Sequence, residues 1–323
     1  VPTLERALVD ADGRDVAGAR HTFRWGQWAA RVVVLVVAAM IVHFLVTNPN
    51  FEWGTVWAWF RAPSIGRALW TTLWLAAVSM VLGTLLGVFL AVARMSANRL
   101  LNGLAGVYIW FFRGTPLLVQ LIFWFNLAAL LPQIGIGVPF GGPKLVSWST
   151  NDLITPLTAA ILGLALNEAA YMAEVIRGGL LSVDPGQREA ARAFGMSSGR
   201  ALRRVVLPQA MRAIIPPTGN QLISMVKATS QVSVIAMADL LYTVQSVYNR
   251  TFETIPLLIV AVLWYLIVTS VLNVVQAFIE DHYARGERGT TGLPAMVRRR
   301  LRGRRGAGRA GAPVTTIEQG DRA

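Results

Sequence analysis

The residues of this 323-residue sequence whose types and spacing could do chemistry are polar side chains set inside apolar segments. Asn220, Ser224, Lys227 and Gln231 are separated by four, three and four residues, which on a helix places all four on one face. Glu168, Tyr171 and Met172 stand at i, i+3 and i+4 and also share a face. Polar groups within a bilayer are costly and mark substrate pathways or partner helices. The stripe from Asn220 to Gln231 is therefore expected to line a pathway, with hydrogen bonding between helices as the other reading. Glu168 suits the amino or guanidinium group of a ligand, or a salt bridge to Lys227. Glu174 and Arg177, three residues apart, pair most simply with each other. Catalytic constellations are missing from the sequence. It has no cysteine, which excludes disulfides, thiolate metal sites and cysteine nucleophiles, and His21, His43 and His282 lie far apart.

These side chains need a membrane scaffold. Hydrophobic residues make up 54% of the chain and charged residues 15%, and the mean hydropathy is positive. This is the composition of an all-α, polytopic integral membrane protein. About six apolar runs are candidate spans: 31–47, 68–93, 106–131 with an interruption, 154–175, 211–238 and 256–279. The net charge of +13 is not spread as a nucleic-acid face would be. Arginines collect before the first run, around 94–99, between 177 and 212, and in the tail, whereas the intervening loops hold Arg61, Arg67, Lys144 and Arg250. The asymmetry predicts six spans with both termini in the cytoplasm. Residues 1–30 are then a polar, irregular cytoplasmic segment, too long and polar for a cleavable signal peptide. Residues 31–65 hold an extra span and an outer loop whose Trp and Phe suit the headgroup belt. The basic tail, 281–323, is expected to be disordered, either lying against anionic lipid or simply solvated.

Local signals refine the elements. Thr115 and Pro116 read as an N-cap and first helical residue, so a helix should start at Pro116 and 104–112 should be a separate interfacial turn or short helix. Residues 132–153 read as loop from their Pro, Gly and Ser content. Asp184 and Pro185 form a second cap pair, with Gln187 completing a capping box. The helix they start should end at Gly195, and a second one, capped by Ser197 or Ser198, should run to about Val206 and meet Pro208. Residues 184–208 thus make a compact cytoplasmic foot suited to the grip of another protein.

The residues Glu189, Ala190, Ala191, Gly195, Val205, Leu207 and Pro208 resemble the EAA loop of importer-type ABC permeases. The stretches FRGTPLLVQL, AAYMAEVIRGGLLSVDPGQ, PPTGNQLISMVKATS and VSVIAMADLL resemble the polar amino-acid uptake branch of that family, over roughly 66–280. Ala228 and Gln231 stand where the family more often has an acid and a leucine, and Glu168 where small or neutral residues are frequent, which leaves the substrate open. The resemblance implies a type I permease core of five spans and alternating access for a polar amino acid. It also implies coupling to separate ABC ATPase subunits through Glu189, Ala190, Ala191, Gly195, Leu207 and Pro208. A second permease subunit, the same chain or a relative, and an extracytoplasmic solute-binding protein complete the implied assembly in a prokaryotic cell membrane. The sequence has no G-x-x-x-x-G-K-[ST] loop, so the chain is not expected to be an enzyme or to bind a cofactor or metal, and ATP and magnesium fall to the partner. The alternative is a proton- or sodium-coupled secondary transporter, which Glu168 and Glu174 would serve.

Overall fold

The computed structural model describes residues 25–137, 142 and 144–284. Expectations for residues 1–24 and for the tail beyond Ala284 lie outside the described residues. The chain divides between Glu52 and Trp53 into two units. The first contains α1 (Trp25–Thr47), so residues 25–30, expected to be irregular, are helical. Thr47 Oγ1 donates to the carbonyl of His43 at 2.7 Å, one turn back near the helix end.

In the second unit α2 (Trp53–Phe60) precedes α3 (Pro63–Arg94), a 32-residue helix opened by a proline at its first turn. The Trp-rich stretch expected at the headgroups packs on α13 (Thr254–Ala284). Phe60 stacks on Trp264 with ring centroids 4.5 Å apart, and Trp264 Nε1 donates to the Phe60 carbonyl at 3.2 Å. Next come α4 (Arg99–Gly114), capped by Asn98, and α5 (Leu117–Phe125), with a bend of 103° between them. The interfacial helix expected at 104–112 is thus a full 16-residue element. Thr115 does not cap α5. Its hydroxyl donates back to Phe111 O at 2.8 Å, and Pro116, with ψ 133°, is the capping residue.

After the short α6 (Leu127–Leu130) the chain forms an antiparallel hairpin of β1 (Gln133–Gly137) and β2 (Lys144–Ser149), where a loop was expected. Ile134 pairs with Trp148 and Ile136 with Val146. The alternation that makes a ribbon was hidden by the glycines between the isoleucines. A turn, α7 (Thr150–Leu153), leads to α8 (Pro156–Leu181), capped by Thr155. The foot consists of α9 (Pro185–Ala193), α10 (Ser198–Ala201) and a π-helical turn, Leu202–Val206, that runs without a break into α11 (Leu207–Ala228). The second foot helix therefore does not stop at Pro208. The widened turn just before it absorbs a residue that cannot donate to the helical ladder.

The expected fifth span also changes character. α11 gives way to a 3-10 stretch, Thr229–Ile235, rich in β-branched residues and closed by Ala236 in the left-handed region. Gln231 thus leaves the helical face of Asn220, Ser224 and Lys227. Then come α12 (Leu240–Thr251), capped by the buried Asp239, and α13 (Thr254–Ala284). Asp239 accepts from Tyr242 N at 2.8 Å, while Leu240 N donates to Thr72 Oγ1 of α3 at 3.0 Å.

Of the six expected spans, α1, α3, α8 and α13 are long and apolar enough to cross a membrane, and the bent pair α4–α5 would be a fifth. α11 falls short in apolarity because it carries Arg212, Pro216, Pro217, Asn220, Gln221 and Lys227. It is shielded instead, packing on α8, α13 and α3.

Candidate functional site

The foot is built by capping. Asp184 accepts from Gly186 N at 2.7 Å, opening α9. At the other end Gly195 has φ +73°, with Gly195 N on Arg192 O at 2.9 Å and Met196 N on Ala191 O at 3.0 Å. This pair of bonds is the Schellman closure that the glycine was expected to allow. The expected capping box is not formed: the Gln187 side chain accepts from Gln209 Nε2 at 3.3 Å, tying the start of α9 to α11. Glu189, Ala190, Leu207 and Pro208 are exposed, whereas Ala191 is turned inward at 3% exposure. Phe194, which the motif alone does not single out, stands 85% exposed beside Gly195. Its signal was a large aromatic inside an otherwise polar helix end.

Inside the membrane portion α8 lies against α3. A Cβ on Gly83 would come within 2.8 Å of Glu168 Cβ, and one on Gly87 within 2.7 Å of Met172 Cβ. The glycines, four residues apart, let the helices approach to backbone contact, and Ala165, Ala169 and Ala173 are the small residues on the facing side. Glu168 is consequently buried, 6% exposed, and accepts from Gln221 Nε2 of α11 at 3.3 Å. It does not pair with Lys227, which is exposed and in no ion pair among the described residues. Tyr171 lies on the outer side of α8, at 37% exposure, with the Arg113 guanidinium 5.3 Å from its ring centroid. Glu174 and Arg177 pair as expected, Nη2 to Oε2 at 2.6 Å.

Asn220, Ser224 and Lys227 share an exposed face of α11, and Gln231 is half-buried in the 3-10 stretch. Glu168 and Gln221 meet on another side of α11, so the structure brings Glu168 to Gln221 rather than to the stripe. The cavities of about 380, 410 and 750 Å³ are lined by none of these six residues of the expected pathway.

A polar cluster that the spacing of residues did not reveal holds the bend between α4 and α5. Gln120 Nε2 donates to Phe112 O at 3.1 Å, Thr115 O at 3.2 Å and Thr115 Oγ1 at 2.8 Å. Asn167 Nδ2 of α8 donates to Phe112 O at 3.0 Å and to Gln120 Oε1 at 3.2 Å. Carbonyls released by the broken helix thereby recover donors where water is scarce.

Comparison with known proteins matches this architecture. Residues 83–285 fit the family described as the binding-protein-dependent transport system inner membrane component. The arginine transport system permease protein ArgU of Corynebacterium glutamicum is 42% identical over 266 residues, 82% of either chain. The glutamine transport system permease protein GlnP of Escherichia coli is 33% identical over 232 residues, 72% of this chain and 97% of the relative. Among solved structures, an amino acid ABC transporter crystallised with histidines superposes with TM-score 0.57 at 35% identity, covering 68% of this chain and 94% of that one. A methionine ABC transporter in inward-facing conformations shares the fold at 20% identity and TM-score 0.54. These matches do not favour the secondary-transporter alternative. The chain belongs to the family of binding-protein-dependent transport system inner membrane components and is a permease subunit of an ATP-driven importer.

Proposed function

We propose that the chain carries a polar amino acid, cationic in type, across the cell membrane, driven by a separate ATPase that grips the foot at 184–208. The observation that carries this reading is the foot itself: a helix capped at both ends that presents Glu189, Ala190 and the unsupported ring of Phe194 on one small protrusion. A side chain as apolar as Phe194 gains by leaving water for a partner's groove. Closure of two ATPase subunits on ATP and magnesium would move the foot as a lever, and the π-turn joining it to α11 passes that motion to the helix bearing the polar stripe. Substrate class follows from Glu168, whose second carboxylate oxygen accepts no hydrogen bond among the described residues, and from the arginine carrier among the relatives. Asn220, Ser224, Lys227, Gln231 and Tyr171 would line the route, completed by a second permease subunit, with an extracytoplasmic binding protein delivering the ligand. The domain boundaries read from the sequence, a permease core at 66–280 preceded by an extra span, belong to the same proposal.

The test is to co-purify the chain with its ATPase and measure ATP hydrolysis with candidate binding proteins loaded with arginine, glutamine or glutamate. Stimulation by the cationic ligand is expected. Stimulation by glutamate alone would reject the substrate class, and failure of any ATPase to co-purify would reject the coupling.

A further inference from the structure

A cavity of about 410 Å³ lies where the C-terminal end of α3 meets the foot. Its walls are of two kinds. Val92, Met95 and Leu202 are apolar and 61%, 37% and 45% exposed. Ser96, Ser198, Arg188 and Arg192 are the polar counterparts. The two arginines are one turn apart on α9 and face the same way. Arg188 is fixed at the rim, Nη2 donating to Leu180 O at 2.8 Å, and neither guanidinium is in an ion pair among the described residues. A free anion would satisfy the arginines and leave the apolar wall wet. A neutral lipid would cover the wall and leave the arginines without a counter-charge.

We propose that this cavity binds an anionic phospholipid of the inner leaflet, its phosphate held by Arg188 and Arg192 and its upper acyl chain laid against Val92, Met95 and Leu202. Basic pockets between spans on the cytoplasmic side suit such headgroups because Coulomb attraction and apolar burial act at one site. The lipid would tie α9 to the end of α3, so that the position of the foot responds to headgroup charge. The inference rests on the cytoplasmic placement of the foot. Lipid retention is read independently of sidedness, so its failure is separable from a failure of topology.

The experiment uses the chain with its ATPase in nanodiscs of phosphatidylglycerol with phosphatidylcholine. Native mass spectrometry counts the phosphatidylglycerol retained after detergent release. Wild type is expected to retain it, and Arg192→Gln and Arg188→Gln to lose it by about tenfold or more, the scale of one charge-assisted hydrogen bond. Arg192→Lys should recover part of the retention, and Arg61→Gln, on the outer surface, should match wild type. Equal retention in wild type and both glutamine variants would overturn the proposal. So would displacement by millimolar inorganic phosphate alone, which marks a simple anion site. Loss of ATPase association with unchanged lipid in Arg192→Gln would assign the arginine to a protein partner instead.

Discussion

Glu168 shows how a residue can be found from sequence while its partner is not. A lone carboxyl in an apolar segment is conspicuous, but its neighbour could not be read from spacing along α8, because the packing of α3 determines which side of α8 meets α11. Gly83 and Gly87 bring α3 in, Glu168 is pressed toward Gln221, and Lys227 is left on a different face. The substitution Glu168→Gln tests the residue cleanly. Because Glu168 is in no ion pair among the described residues, no partner charge is stranded, and abundance in the membrane should stay close to wild type. Loss of one charge-assisted hydrogen bond to a cationic ligand, about 1.5–3 kcal/mol, should weaken apparent affinity by roughly 10-fold to 100-fold. Uptake titrations at matched protein levels measure this, and unchanged affinity would remove Glu168 from the ligand site.

At the scale of elements, the caps of α9 were legible, whereas the cap of α5 and the continuations were not. Asp184, Pro185 and Gly195 each act through bonds within a few residues, so their types sufficed to place α9 and its turn. The hairpin and the π-turn into α11 depend on what lies alongside, and the 3-10 stretch after Ala228 likewise escaped a reading by helical period. Both kinds of feature are open to substitution. At Gly195 a Cβ would meet no atom within 4 Å, so only the φ of +73° resists replacement. Gly195→Val should therefore cost about 1–2 kcal/mol of local strain and abolish coupled uptake without lowering membrane abundance, while Gly195→Asn, which tolerates that region, should retain most of it. Normal uptake in the valine variant would contradict the role given to the foot. In the bend, Gln120→Leu strips the half-buried Thr115 O and Oγ1 of their side-chain donor, a loss of about 1 kcal/mol, the net worth of such a bond. Its midpoint of thermal unfolding should fall, and by more than that of Thr158→Val in the first turn of α8.

For the whole molecule, the exposed polar face of α11 poses the question of what covers it. Asn220, Ser224 and Lys227 form part of the surface of a single chain, yet lipid would leave their hydrogen bonds unmade. A second permease subunit and the aqueous route between the two subunits would satisfy them, and residues proposed to line that route then need not line the cavities of about 380, 410 and 750 Å³ within one chain. The sidedness of this arrangement is open to a direct test, because the sequence has no cysteine and any introduced thiol is unique. Ser147, exposed on the hairpin, and Ser197, exposed at the turn of the foot, lie at opposite ends of α8. The arginine asymmetry assigns the hairpin to the outside and the foot to the cytoplasm. In intact cells a membrane-impermeant maleimide should label Ser147→Cys and spare Ser197→Cys until the membrane is opened, and Ser224→Cys should be protected when the binding protein and its ligand are present. The reverse pattern at the two ends would invert every span. Labelling of Ser224→Cys that ignores ligand would place the stripe against a partner helix rather than on the route.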